Sequence, residues 1–435
     1  MSPVIIGVIG FIVLFSLLAF GVPIGISMGV VGLAGLWHMF GVGSAAVKLV
    51  LVPLDLVMNY SFAVLPLFLL MAHICFQAGI STDLYNVASK WLGHQRGGIG
   101  MATVGASAGF AAMSASSTAT VATIGLVALP EMKRLKYDSA LAAGTVAAGG
   151  TMGILIPPSS TMIIYGIMTE TSIGQLFLAG MIPGILEALF YIVVIYIICR
   201  LRPEMGPRGP KSTMKEKIMV LGSCGELIAL VMLVLGGLII GWFTPTEAGA
   251  IGSGGAILFS LIRRRINWSK FREALMETMK TTGMIYAILI GALILRYFVT
   301  ITTIPTHMAQ TVGGLPFPPT VIMICIFLVY IFLGCFLDAM AMLLLTLPIF
   351  FPLVTGMGYS EVWFGIFMVR MIEIAMVTPP IGLNLFVVAG IAPDLSIQTI
   401  YRGIFPFVLA DVCHITLLLL VPDVALFLPR LLFGA

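Results

Sequence analysis

Apolar residues run along this chain in blocks long enough to cross a membrane, and polar residues collect between the blocks. A hydrocarbon layer ~30 Å thick calls for about 20 apolar residues per helical crossing. Blocks of that kind lie near 4–20, 23–38, 54–79 and 174–199, and again near 219–241, 245–262, 281–298 and 403–428. Two long blocks, 139–169 and 360–391, are each interrupted by a Pro-Pro pair. Four shorter pieces, near 98–113, 118–130, 319–335 and 339–351, come in adjacent pairs. At 1.5 Å per residue each short piece reaches at most ~25 Å. Each pair therefore predicts a re-entrant helical hairpin instead of two crossings. The fold class expected is an all-α integral membrane protein with about ten transmembrane helices and two re-entrant hairpins.

The layout occurs twice. Pro157-Pro158 recurs as Pro379-Pro380, an offset of 222 (from 157 to 379). At the same offset Pro23 falls on Pro245, Pro130 on Pro352, Lys48 on Lys270 and Phe110 on Phe332. The Pro-Pro pairs define the offset, so the other matches carry the independent weight. The expected organisation is a first repeat over 1–200, a polar linker over 201–217 and a second repeat over 218–435. Each half crosses five times, an odd number, so the second repeat is expected to be inverted. Charge tests the arrangement. With the N-terminus outside, the cytoplasmic segments are 80–97, 131–138, 200–218, 263–280 and 392–402, and they hold 18 of the 22 lysines and arginines. Positive charge favours the inside, so both termini are expected outside, as in alternating-access carriers built from inverted repeats.

Composition narrows the classes. Of the 435 residues, 60% are hydrophobic and only 9% charged, against roughly 25% charged in soluble domains, and no stretch is polar enough for a separate soluble domain. The N-terminus lacks a basic n-region and a cleavage site, so the first apolar block is expected to remain a membrane helix. Cys75, Cys199, Cys224, Cys325, Cys335 and Cys413 sit singly in apolar segments, which favours packing over metal or redox use. The histidines form no ligand cluster, and no phosphate-binding glycine loop is present, so ATP is not an expected partner; nor is nucleic acid. No Ser–His, Cys–His or metal-ligand constellation accompanies the breaks, and the chain is not expected to be an enzyme. A passive channel remains a rival that accumulation against a gradient would exclude.

The breaks are where chemistry is expected. Proline inside a helix removes a hydrogen bond and costs ~3 kcal/mol or more. In lipid the freed carbonyls persist only where protein or a polar cavity covers them. Two equivalent double breaks therefore point to carbonyls that bind a cation, with plain kinks as the alternative. The first hairpin tip, Met113-Ser114-Ala115-Ser116-Ser117-Thr118-Ala119-Thr120, is a hydroxyl run, and the second, Gly334 to Asp338, places Asp338 opposite Ser116 at the same offset. Hydroxyls, carbonyls and one carboxylate suit Na⁺ better than a transition metal; close helix packing is the other reading of such small residues. Half-helix N-termini suit a substrate carboxylate, which makes Ser117, Thr118 and Ser159 candidates at the starts of the half-helices. Arg370 and Glu373, three apart on the second broken helix, are close enough to pair. Arg370 either positions that helix or meets the substrate.

The run Gly150-Thr151-Met152-Gly153-Ile154-Leu155-Ile156-Pro157-Pro158-Ser159, the Ser-Ala-Ser-Ser-Thr-Ala-Thr tip, Phe336-Leu337-Asp338 and Thr378-Pro379-Pro380-Ile381-Gly382-Leu383-Asn384 resemble the large membrane subunit of tripartite ATP-independent periplasmic (TRAP) transporters. The resemblance covers essentially the whole chain, with Ala375 standing where many relatives have glycine. It implies an elevator-type, Na⁺-driven importer of small organic anions in the bacterial inner membrane. It also implies a periplasmic substrate-binding protein and a small four-helix membrane subunit, here expected as a separate chain. Carried over with the oxygen argument, one Na⁺ is expected at Ser114, Ser116, Gly150 and Thr151, and a second at Gly334, Asp338, Thr378 and Asn384. The nearest rival is a Na⁺/carboxylate symporter that works alone.

Overall fold

The computed structural model describes residues 2–313 and 316–434. The described chain is helical, in the order α1 (Pro3–Ala19), α2 (Ile24–Phe40), α3 (Val42–Met58), α4 (Val64–Gln77), α5 (Ile80–Leu92), α6 (Gly98–Ser114), α7 (Ser117–Arg134), α8 (Ser139–Thr151), α9 (Ser160–Thr169) and α10 (Ile173–Leu201). There follow α11 (Met214–Leu221), α12 (Gly225–Ile240), α13 (Pro245–Ile262), α14 (Trp268–Ile301), α15 (Ile304–Gly313), α16 (Pro319–Leu333), α17 (Ala339–Gly356), α18 (Glu361–Val377), α19 (Leu383–Ile391), α20 (Ile397–Leu420) and α21 (Asp423–Phe433). Among the described residues, five apolar helical stretches are long enough to cross a membrane: Tyr60–Gln77, which joins a short 3₁₀ turn to α4, and α10, α14, α17 and α20. The pair α11 and α12, bent by 48°, would add a sixth.

Element boundaries recur at the offset read from the prolines. The starts of α7 and α17 are separated by that same offset, and so are the starts of α8 and α18. The capping groups repeat too. Asp138 accepts from Leu141 N at 2.9 Å and Ser360 from Trp363 N at 3.5 Å, while Ser116 accepts from Ala119 N at 3.4 Å and Asp338 from Ala341 N at 2.8 Å. Such caps satisfy N–H groups that no intrahelical carbonyl reaches.

Three sequence expectations need correction. The block expected at 54–79 is divided between the end of α3 and α4, and the rest of α3 and all of α5 lie outside the predicted blocks: α3 carries Lys48, Pro53 and Asp55, and α5 carries polar Ser81, Thr82, Asp83, Ser89 and Lys90. The block expected at 281–298 is the second half of the 34-residue α14. The hairpin arms are longer than the prolines suggested, because α7 continues through Pro130 and α17 through Pro348 and Pro352. Both have 18 residues, or ~27 Å, so arm length does not by itself mark a re-entrant hairpin. The tip does. Ser114, Ala115 and Ser117, where α6 gives way to α7, are all buried in protein.

Small residues let the inner helices touch. A Cβ on Gly403 of α20 would lie 1.8 Å from Ala140 O on α8, and one on Gly291 of α14 would lie 2.0 Å from Gly25 O on α2. Backbones approach this closely only where side chains are absent. At the centre lies α18, whose residues from Val362 to Val377 are all buried. A helix that is apolar nearly all round must be covered on every side, and that burial encloses Arg370 and Glu373.

Candidate functional site

The two Pro-Pro breaks hold the ends of four helices together. In the first, α8 stops at Thr151, a 3₁₀ turn covers Met152–Ile154, and α9 begins at Ser160. In the second, α18 stops at Val377 and α19 begins at Leu383. Both Pro-Pro peptide bonds are cis. Carbonyls at the end of a helix lack the next turn's N–H donors, and here nearby hydroxyls serve several of them: Thr151 Oγ1 donates to Ala148 O, Ser159 Oγ to Ile154 O and Thr378 Oγ1 to Ile374 O.

The first hairpin tip folds onto the first break. Ser114 Oγ and Thr120 Oγ1 are 2.6 Å apart, and Thr120 Oγ1 donates to Ser116 O at 2.8 Å. Gly153 faces this cluster so closely that a Cβ there would lie 2.5 Å from Ser116 O and 2.6 Å from Thr120 Oγ1. Gly150 is equally pressed against Val121 of α7, where a Cβ would meet Cγ2 at 2.0 Å. Ser160 Oγ donates to Ala115 O at 2.6 Å, joining the start of α9 to the tip. Ser114, Ser116 and Gly150 thus lie in one place with Thr120, a hydroxyl that is not among the predicted ligands.

The Thr151 side chain turns away from the tip. Its hydroxyl lies 2.6 Å from Ala148 O, 2.8 Å from Glu187 Oε1 and 3.2 Å from Tyr191 Oη, so it is turned toward a buried charge cluster and not toward the serines. Only its backbone carbonyl stays a candidate ligand at the tip.

The second break reaches across the repeat. Asn384 Nδ2 donates to Ser117 Oγ at 2.7 Å, while Asn384 Oδ1 is buried without a partner. An unsatisfied buried oxygen calls for a donor or a cation. Gly334 presses on the end of α18, where a Cβ would lie 2.7 Å from Ala375 O. Thr378 Oγ1 donates to Ile374 O at 2.6 Å. Asp338 caps α17 with one oxygen and lines a cavity of about 690 Å³ shared with Phe15, Val22 and Ile24 of the α1–α2 region. Asn384 therefore binds the first-half tip, and among the described residues no hydrogen bond joins its amide to Asp338.

For the substrate candidates, Ser117 and Thr118 open α7; Ser117 is buried, Ser116 and Thr118 are half-buried, and Ala119 is exposed. Ser159 is fully buried; its hydroxyl donates to Ile154 O at 2.6 Å and accepts from Met162 N at 3.3 Å. The Ser160–Ala115 hydrogen bond brings the start of α9 to the turn that precedes α7. Arg370 is fully buried, and its guanidinium donates to Glu187 Oε1 and Glu373 Oε2 at 2.7 Å each and to Asp411 Oδ1 at 2.5 Å. Tyr191 Oη also meets Asp411 Oδ1, at 2.6 Å. Two nitrogens of the guanidinium are taken up by carboxylates of α10, α18 and α20, and Nε is buried without a partner, an arrangement that fits the positioning reading of Arg370. The pairing with Glu373 is legible from i, i+3 spacing. No such spacing marks Glu187 and Asp411 as partners, although they occupy the corresponding helices α10 and α20, two positions off the repeat offset.

The profile of the tripartite ATP-independent periplasmic transporter, DctM component, matches residues 11–424. The C4-dicarboxylate TRAP transporter large permease protein DctM of Pseudomonas aeruginosa is 35% identical over 373 residues, covering 86% of this chain and 87% of that one. The sialic acid TRAP transporter large permease protein SiaM of Vibrio cholerae is 32% identical over 422 residues, covering 96% and 97%. Among solved structures, the YdaH transporter of Alcanivorax borkumensis superposes with a TM-score of 0.64 at 14% identity, over 88% of this chain and 89% of that one, a likeness of fold. A profile match across both halves, together with two large permeases that align over most of their own length, settles the family: this chain belongs to the tripartite ATP-independent periplasmic transporters, as a DctM component.

Proposed function

We propose that this chain is the permease of a Na⁺-coupled importer that moves a small organic anion across the bacterial inner membrane. The observation that carries the reading is the meeting of the two breaks at the first hairpin tip. Clustered hydroxyls, helix-end carbonyls and the orphan Asn384 Oδ1 supply hard oxygen ligands, and the N-termini of α7 and α9 supply N–H groups for a carboxylate. The ligands assigned to one Na⁺ are Ser114, Ser116, Gly150 and the Thr151 carbonyl. A second Na⁺ is assigned to Gly334, Asp338, Thr378 and Asn384. The substrate end is assigned to Ser117, Thr118 and the start of α9 at Ser159.

Two inverted repeats with ten crossings, periplasmic termini and an elevator motion complete the reading; the recurrence of helix boundaries at the proline offset and the uneven spread of basic residues support it. The two relatives carry a C4-dicarboxylate and a sialic acid by name, and both substrates are carboxylates, which fits an anion held at helix N-termini. The partners are a small four-helix membrane subunit and a periplasmic binding protein. One Na⁺ entering down 100 mV gains ~2.3 kcal/mol, so two supply roughly a thousandfold accumulation of a neutral solute; an anion's own charge subtracts from that.

The test is uptake by proteoliposomes holding the chain with its partners. Accumulation is expected only with an inward Na⁺ gradient and only with the binding protein present. Equal uptake from Na⁺-free buffer removes the coupling, and uptake that persists without the binding protein favours a carrier that works alone.

A further inference from the structure

A second polar site lies at the far end of α10 from the Arg370 cluster. His94, Gln95, Arg96, Tyr196, Arg200, Arg208 and Lys211 line a cavity of about 280 Å³. No carboxylate shares that lining, and none of the four cations takes part in an ion pair among the described residues. His94 Nδ1 is buried without a partner. Like charges gathered without a counter-ion repel one another, so the arrangement favours an anion between them.

The site is built from three segments that the backbone locks together. Gly97 N donates to Gly206 O at 2.8 Å, and Gly209 N donates to Gly93 O at 2.8 Å. These bonds pin the linker after α10 to the turn before α6. Gly206 packs where a Cβ would lie 2.4 Å from Cys199 Sγ and 3.0 Å from Gly97 Cα, so the linker cannot lift away without losing that contact. Arg96 comes from the turn, Arg200 from the end of α10, and Arg208 and Lys211 from the linker. A merely solvated basic loop would not be fixed in this way.

The helix below the cavity supplies the rest. Ile185, Leu189, Val193 and Tyr196 are about half exposed, and their spacing places them on one face of α10 that leads up to Arg200. From Ile185 to Arg200 the stripe runs ~22 Å, about the depth of one leaflet with its headgroups. An apolar stripe ending in a cation-lined cavity fits a molecule with acyl chains and an anionic head.

We propose that this cavity binds the phosphate-bearing headgroup of an anionic phospholipid, with the acyl chains lying along the Ile185–Tyr196 face of α10. The proposal concerns lipid and not transport, so it stands or falls apart from Na⁺ coupling.

The test uses the full chain in nanodiscs of phosphatidylcholine with a minor share of phosphatidylglycerol, and reads the lipid retained after extraction by native mass spectrometry. The parent is expected to retain phosphatidylglycerol in preference to phosphatidylcholine. The triple variant R96Q/R200Q/R208Q is expected to lose that retention roughly 100-fold, whereas K136Q/K215Q, which removes two cations outside the cavity, keeps it. Equal loss in both variants would mean a diffuse basic face and overturn the site. A rise in melting temperature with inorganic phosphate, without phosphatidylglycerol retention, would assign the cavity to a soluble anion and overturn the lipid.

Discussion

Replacing Arg370 by methionine keeps most of the side-chain volume and removes the cation from the buried cluster. Three carboxylates, Glu187, Glu373 and Asp411, then lose their shared partner with no exposure to water. Breaking one buried pair and leaving a charge uncompensated costs about 3–5 kcal/mol. The unfolding entropy of a chain this size, taken at ~2.1 cal/mol/K per residue, is roughly 0.9 kcal/mol/K, so the melting temperature should fall by about 3–5 °C or more. The assay is thermal unfolding of the purified chain in one detergent at fixed pH. The quadruple variant R370M/E187Q/E373Q/D411N removes cation and anions together. It should recover part of the loss, because burying neutral amides costs less than burying unpaired charges. A coupling of about 2 kcal/mol or more between the arginine and the carboxylates is expected from the cycle. A single variant that melts with the parent, or a quadruple variant as unstable as the single one, would refute the charge argument.

Two further substitutions separate structure from ion binding. Gly153→Ala would push a methyl into Ser116 O and Thr120 Oγ1, costing about 1–3 kcal/mol of overpacking and shifting the tip; Na⁺-dependent uptake should fall more than the amount of folded protein, and unchanged Na⁺ affinity would count against a tip site. Asp338→Asn preserves a side-chain oxygen for Ala341 N, since asparagine caps about as well as aspartate. Its melting temperature should stay near the parent's while the Na⁺ concentration for half-maximal uptake rises; an unaltered Na⁺ dependence would leave Asp338 as a cap alone.

What the sequence determined by itself is the covalent pattern: the membrane character, the doubled layout, the breaks at Pro157-Pro158 and Pro379-Pro380, the hydroxyl tip and the family. These follow from local composition and spacing, because lipid imposes hydrogen-bond satisfaction on each helix separately. The amphipathic α5 and the arms running through Pro130 and Pro352 escaped that reading, since packing against neighbours decides whether a polar or proline-bearing segment stays helical. Tertiary structure alone decided which side chains face one another. It turned the Thr151 hydroxyl from the serine tip to Glu187, carried Asn384 across to Ser117, and surrounded Arg370 with carboxylates from three helices. The physical reason is that a buried charge or amide must find its partner wherever the packed helices bring one, and no spacing along a single helix reveals that choice.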